Sequence, residues 1–360
     1  MFTFTNYRRD IPTKVIKAFT LSLLFLSISF SISGLTLKNK TSEYSTTACY
    51  QRKKAPFKKI GFVIRYDDPE AERLALALAQ YAHEQNRAVF FEKENKATAE
   101  QLIKNISLKT SKNKRKAKIC LTSKQHLAAK SDLIVAIGGD GTLLSVARLM
   151  SHTHSPPLLG IYKGTLGFLT EFSTQEALPF LSNLLAGKQF TLSSRPLLET
   201  AVIRDKKTIF TGQAANDAVI KLIGHRVLGI DIAINNKPAF SIYGDGLIVS
   251  TPSGSTAYSL SAGGPLVEPS TPALILTPLN ATGITLRPVI IPNTSTIVVE
   301  IIKQPGTAQL SLDSQDVVDL KTGDRVLLKQ PANKLFKLIT RPNQNYFEVL
   351  KDKFKFGSAV

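Results

Sequence analysis

Leu133-Ile134-Val135-Ala136-Ile137-Gly138-Gly139-Asp140-Gly141-Thr142 is the stretch that decides the fold. Five apolar residues without a polar break read as a strand buried on both faces, and such strands belong to parallel sheets. Glycines at its carboxyl end and an apolar-periodic segment from Leu143 to Met150 predict a strand, a tight loop and a helix. Ligands of open α/β sheets bind at such strand ends. Glycines let the backbone approach a ligand closely. Exposed N–H groups at a helix start favour phosphate, so Gly138, Gly139, Gly141 and Thr142 are the expected phosphate binders. Asp140 does not fit that picture, because a carboxylate repels phosphate. It can take the proton of a hydroxyl nucleophile, hold a divalent cation that bridges phosphates, or simply cap the helix.

The flanking sequence extends the alternation. Lys59–Ile64, Ala88–Phe91 and Leu158–Tyr162 read as further strands, and Pro69–Gln85 and Ala97–Ser107 as helices. The pattern predicts a doubly wound, Rossmann-like α/β domain over 57–190. From about Thr191 the texture changes. Short β-branched runs recur at Glu199–Ile203, Ala218–Leu222, Ile230–Ile234, Leu247–Ser250, Leu274–Thr277, Thr296–Ile302 and Val326–Lys329. They predict an all-β, sandwich-type domain over 191–340.

Within it, Gly244–Gly264 (GDGLIVSTPSGSTAYSLSAGG) carries a strand into a loop of small hydroxyl and glycine residues, then a short helix with Tyr258 expected buried. Such a loop offers many N–H and O–H donors in little space, as ribose and phosphate recognition requires. Asn216-Asp217, just before a strand, can clamp a vicinal diol or form a plain turn. Asp313-Ser314-Gln315 reads as a hairpin turn. His152-Thr153-His154 has no third ligand nearby and reads as a loop, not a zinc site.

Composition narrows the class. The chain has 360 residues, 43% hydrophobic and 20% charged, which excludes a disordered protein and suits two domains. Two cysteines, Cys49 and Cys120, cannot build a disulfide framework and read as reduced thiols. The formal net charge is +19. Eight basic residues and no acid lie between Lys109 and Lys130, yet no aromatic residue is interleaved. A nucleic-acid platform is therefore not expected; a solvated basic loop that steers anionic ligands is.

The first 56 residues form an extension and linker. Ala18–Leu37 holds twenty residues without a charge behind a basic flank. Membrane contact through residues 18–37, a targeting peptide and a dispensable extension all fit.

Four pieces in order, Gly138-Gly139-Asp140-Gly141, the segment Gly160-Ile161 to Leu166-Gly167-Phe168-Leu169, Asn216-Asp217 and Ser250–Gly264, resemble the NAD kinase family. The last is specific by itself; the first is shared with lipid kinases and phosphofructokinases. The resemblance implies an NAD kinase/diacylglycerol kinase-like α/β domain, a β domain, and a tail over 341–360 returning to the first. It implies transfer of phosphate from ATP or polyphosphate, with a divalent cation such as Mg²⁺, to the 2′-hydroxyl of the adenosine ribose of NAD. On matching positions Asp140 becomes the proton acceptor, with Gly141 beside it on NAD. Asn216 and Asp217 hold ribose hydroxyls, and Asp245 lies near the nicotinamide. Thr256, Ala257, Tyr258, Ser259, Leu260 and Ser261 line the dinucleotide pocket. Gln315 and Arg226 are further NAD contacts. Tyr162 stands where the family usually has asparagine. The resemblance also implies a cytoplasmic homo-oligomer, dimer or tetramer. A lipid kinase of the same superfamily and a non-catalytic NAD(P)-binding regulator are the alternatives.

Overall fold

The structure, a computed structural model, describes residues 47–50, 57–109, 118–151, 153–224, 226–283, 286–342 and 345–355. The charge-free stretch 18–37, His152 and the middle of the basic run, 110–117, lie outside the described residues.

The first domain is a sheet with helices on both faces. Its order is Ile119–Thr122, Ala88–Glu92, Lys59–Ile64, Leu133–Gly138, Pro157–Tyr162, Leu335–Thr340, Phe190–Pro196 and Thr47–Tyr50. The first six of these run parallel. All six residues of Leu133–Gly138 are buried, and its side chains alternate between two cores. Leu133, Val135 and Ile137 pack with the helices Pro69–Glu84, Lys96–Lys109 and Thr174–Leu185. Ile134 and Ala136 pack with the helices Lys124–Lys130 and Asp140–Ala147 on the other face. Period-2 alternation thus makes the strand the wall between two hydrophobic layers. Each fully buried apolar side chain contributes about 1.5–3 kcal/mol.

The second domain is a sandwich of two six-stranded antiparallel sheets. One holds Leu198–Arg204, Leu228–Ile234, Ile297–Lys303 and Arg325–Lys329; the other holds Asp217–Ile223, Gly246–Ser250, Ala273–Leu279 and Thr307–Leu312. Inward residues of both, such as Ile230, Val299, Ile220 and Leu276, share one core. The strands Phe190–Pro196 and Leu335–Thr340, at the two ends of the segment 191–340, pair with each other and extend the first sheet. Phe336 and Leu338 are fully buried in its core. The chain therefore enters and leaves the sandwich through two strands of the α/β sheet.

The motif helix begins at Asp140, three residues before the expected Leu143. Gly139 serves as its N-cap, so the glycine motif is the first turn of the helix rather than a loop before it.

Candidate functional site

Gly138 has φ of 154° and a Cβ there would lie 2.4 Å from Thr142 Oγ1, so only glycine closes this turn. Gly139 and Gly141 differ: a Cβ on either would meet nothing within 4 Å. Their bare backbone faces open space at the helix start, a cradle of the size and polarity that phosphate needs.

Asp140, the first helical residue, turns its carboxylate onto the loop after Pro157–Tyr162. Oδ1 accepts from Leu169 N (3.1 Å), Thr170 N (3.0 Å) and Thr170 Oγ1 (3.0 Å), and Oδ2 from Phe168 N (2.8 Å). A carboxylate has roughly four acceptor sites. Oδ1 is filled, and Oδ2 keeps a lone pair for an incoming hydroxyl. Phe168 and Leu169, read from the sequence only as part of a family mark, thus form with Thr170 the clamp that aims Asp140.

Two clefts touch the residues around this carboxylate, one at Phe168 and Leu169 and the other at Gly141 and Thr142. One, of 690 Å³, is lined by Phe168, Leu169, Glu171, Arg195, Ser253 and Thr256. Burial pushes the Glu171 carboxyl up to about 7. The Ser253 hydroxyl is buried here without a hydrogen-bond partner among the described residues. The other, of 570 Å³, is lined by Arg65, Lys93, Lys124, Gly141, Thr142 and Gln315. Lys124, from the basic run, is held there by Ser145 Oγ (3.0 Å) and Glu92 (3.3 Å).

Asn216 and Asp217 sit at the end of the sandwich nearest the motif. Asn216 Oδ1 is buried without a partner among the described residues, an acceptor awaiting a donor. Asp217 is 4% exposed, and burial first, then the neighbouring Asp313 charge, pushes its carboxyl up to about 7. Gln315 Nε2 donates to the Gly141 carbonyl (3.3 Å), which brings the second domain's hairpin onto the motif.

The loop Ser250–Gly264 forms a 3₁₀ turn, Ser253–Thr256, and a one-turn helix, Tyr258–Ser261. Thr256 lines the larger cavity. Tyr258, expected to be buried, is 43% exposed, because the one-turn helix presents it outward. Ser259 is fully buried and bonds Thr277 Oγ1 (2.8 Å), so its hydroxyl serves the scaffold. Ala257 and Leu260 are half-buried and Ser261 exposed.

Asp245 is not brought to Asp140, and Arg226 lies exposed three residues past Ile223, at the far end of the strand that Asp217 begins. Asp217 pairs with Ser250 at one end of the ladder and Lys221 with Gly246 at the other. Asp245 lies beyond Gly246, about 17 Å along the strand from Ser250. There it accepts from Asn280 Nδ2 (2.7 Å). Every residue of Gly246–Ser250 between the two ends is buried.

A parallel sheet with glycines at a helix start, a clamped aspartate and two adjoining clefts is the arrangement of a phosphoryl-transferring enzyme. The family models confirm the class: residues 60–189 match the ATP-NAD kinase N-terminal domain and residues 215–340 the ATP-NAD kinase C-terminal domain. An NAD kinase of Aromatoleum aromaticum is 32% identical over 84% of this chain and 95% of its own length. One from Wolinella succinogenes is 39% identical over 65% of this chain and 80% of its own length. Yeast NADH kinase, solved in complex with NADH, shares the fold with a TM-score of 0.74 at 24% identity, over 85% of this chain and 89% of that one. The chain belongs to the NAD kinase family of enzymes.

Proposed function

We propose that this chain phosphorylates the 2′-hydroxyl of the adenosine ribose of NAD, with Asp140 taking the hydroxyl proton through Oδ2. The single observation that carries this is the clamp of four donors on Asp140, which leaves one carboxylate lone pair unused beside the phosphate cradle. A secondary alcohol is a poor nucleophile, and a carboxylate placed on its proton accelerates such a reaction about 10²–10⁴-fold. NAD occupies the 690 Å³ cleft, where Ser253 Oγ meets its donors, and extends past Gly254 to Asn216 Oδ1 and the Asp217 carboxylate, which take its ribose hydroxyls. The donor, ATP or polyphosphate, enters the other, basic cleft. Its phosphates lie on Gly139, Gly141 and Thr142, with Arg65 and Lys93 supplying countercharge. In-line transfer then requires the ribose hydroxyl and the leaving phosphate on opposite sides of the transferred phosphorus, with acceptor and donor reaching the motif from the two clefts.

No group of three or more His, Cys, Asp or Glu among the described residues could hold a metal. That suits Mg²⁺, which usually rides on substrate phosphates with one or two carboxylates rather than in a protein cage. Bound so, it would neutralise phosphate charge, and Asp140 is the carboxylate nearest the cradle. Among the described residues no helix is long and apolar enough to cross a membrane. NAD and ATP are chiefly cytosolic, so in this reading the enzyme works in the cytoplasm.

The protein acts as a homo-oligomer in this reading. Asp245 and Arg226 lie beyond a buried strand from their own Asp140, so they face NAD only in the site of a second copy. Mixing Asp140→Asn and Asp245→Asn chains, each inactive alone, is expected to restore turnover through hybrid assemblies. Absence of any restoration in a verified mixed oligomer contradicts the shared site.

The buried carboxyls give a pH signature. Asp217 and Glu171 are raised to about 7, so the folded state binds protons that the unfolded state has already released. Their contribution to stability is lost as pH rises from the ordinary carboxylate range through about 7. Ionised Asp217 is the form that accepts from ribose hydroxyls. From pH 5 to pH 8 the melting temperature of the free enzyme is therefore expected to fall while NAD affinity by calorimetry rises. In Asp217→Asn the rise in affinity disappears. An affinity flat with pH in the parent protein refutes the assignment.

A further inference from the structure

We propose that the hairpin turn Asp313–Asp316 sets the two halves of the site against each other. Asp313 is the positioning residue for Asn216 and Asp217, and the Asp316–Arg148 ion pair anchors the turn to the motif helix. The inference takes the identity of the substrates from the reading above and its geometry from contacts that do not depend on it.

The turn joins Thr307–Leu312 to Asp316–Leu320. Gln315 N donates to Leu312 O (2.9 Å) across it, and Asp313 and Ser314 have φ of 49° and 56°. Two adjacent left-handed residues make the tight turn that matches strand twist, and glycine or asparagine is the relaxed choice for it. An aspartate followed by a serine in these places is strained, so the Asp313 side chain must return something for the strain.

It does so across nearly a hundred residues of sequence. The Asp313 carboxylate is buried and accepts three consecutive amides: Ala215 N at 2.7 Å, Asn216 N at 2.8 Å and Asp217 N at 3.1 Å. Asp313 N returns a bond to Asp217 O (3.0 Å). The carbonyls of the same segment are also taken. Thr251 N and Ser250 Oγ bond Asn216 O, and Thr251 Oγ1 bonds Ala215 O (2.6 Å). The backbone of Ala215–Asp217 therefore has one conformation, and it is the backbone that presents the unpartnered Asn216 Oδ1 and the Asp217 carboxylate.

The far side of the turn grips the donor half. Gln315 reaches the Gly141 carbonyl (3.3 Å). Arg148, which caps the motif helix, meets both carboxylate oxygens of Asp316, with Nη2 at 3.1 Å from Oδ1. Burial pushes the Asp313 carboxyl up; the three amides, and after them the Arg148 charge, act against burial and favour the ionised form. One turn thus holds the acceptor-binding pair with Asp313, the Gly141 carbonyl of the cradle with Gln315, and the far end of the motif helix with Asp316. A misplacement of about 1 Å in such an assembly costs about 10²-fold in rate.

The test uses the full chain and four variants: Arg148→Met, Asp316→Asn, the two combined, and Asp313→Asn. Arg148→Met and Asp316→Asn are each expected to lower kcat by about tenfold or more, and the combined variant to fall no further than the worse single one. Melting should stay cooperative. Asp313→Asn is expected to raise KM for NAD by about tenfold or more, with KM for ATP within about threefold. Amide exchange at 215–217 should quicken alongside. Pair variants whose kcat stays within about twofold, or an Asp313→Asn enzyme that only melts earlier with its KM for NAD unmoved, overturn the proposal. If Asp313→Asn does not fold, the pair variants decide. If the parent chain does not phosphorylate NAD, the reading of substrates fails. Amide exchange at 215–217 in Arg148→Met and Asp316→Asn then tests the coupling alone: faster exchange supports it and unchanged exchange refutes it.

Discussion

Asp140→Asn is expected to lower turnover of NAD at least about a hundredfold, a loss of roughly 2.7 kcal/mol of transition-state stabilisation. Asparagine keeps the size and one acceptor oxygen, which can take the place of Oδ1 and receive the Leu169 and Thr170 donors. Its amide nitrogen then stands where Oδ2 was. It carries no lone pair for a hydroxyl proton, and it faces the Phe168 N–H, itself a donor. The chemical role is lost while most of the clamp survives. Initial rates at saturating NAD and ATP, with a melting curve and an NAD titration beside them, separate the two effects. Turnover within about threefold of the parent would remove Asp140 from the role of base.

Gly167→Ala is expected to be about as damaging as removing the carboxylate, although residue 167 carries no chemistry. A Cβ at this position would stand 2.0 Å from Asp140 Oδ1 and 2.1 Å from Thr170 Oγ1. Gly167 N also donates to Thr170 O (3.1 Å), which closes the loop tightly around the carboxylate. Neither the loop nor Asp140 has room to yield without breaking the bonds from Phe168, Leu169 and Thr170. Displacing the base by about 1 Å costs about 10²-fold, and the strained loop should lower the melting temperature by several degrees. Kinetics and melting of the variant check both. An active Gly167→Ala enzyme would mean that the clamp on Asp140 is not required for chemistry.

The elements legible in the sequence were those with an unbroken or strictly periodic apolar pattern. Lys59–Ile64 has the bounds its residues predict, and all seven short runs expected in the second domain are strands. Strands with solvated faces were missed. Lys207–Ala214, Lys237–Gly244 and Asp316–Leu320 are largely exposed, with only scattered residues such as Ile242 and Leu320 in the core, so no continuous apolar run marks them. The helix Thr174–Leu185 was also missed, with Pro179 inside it. Its signal was present in Ser173 and Glu176, which form a reciprocal capping box at its start. Hydrophobic pattern reports burial and says little about edges.

The site divides in the same way. Asp140, its glycines and Asn216-Asp217 stand in local motifs, and the fold places them at facing ends of two domains. What holds them was not legible. The bonds from Asp313 to Ala215–Asp217 and from Arg148 to Asp316 join residues 96 to 168 positions apart, and no local spacing announces them. A turn triplet such as Asp313-Ser314-Gln315 has the same composition whether its carboxylate points to solvent or into three amides. Asp245 shows the converse limit: its motif is contiguous with Ser250–Gly264, yet the strand carries it to the opposite end of the sheet.

The central claim is tested most directly by incubating the full chain with NAD, ATP and Mg²⁺ and following the product with a dehydrogenase specific for NADP. The account predicts continuous formation of NADP carrying its new phosphate on the adenosine 2′-oxygen. It also predicts no phosphorylation of diacylglycerol or sphingosine offered in place of NAD. NAD binding without turnover, or phosphate transferred to a lipid instead, would contradict it.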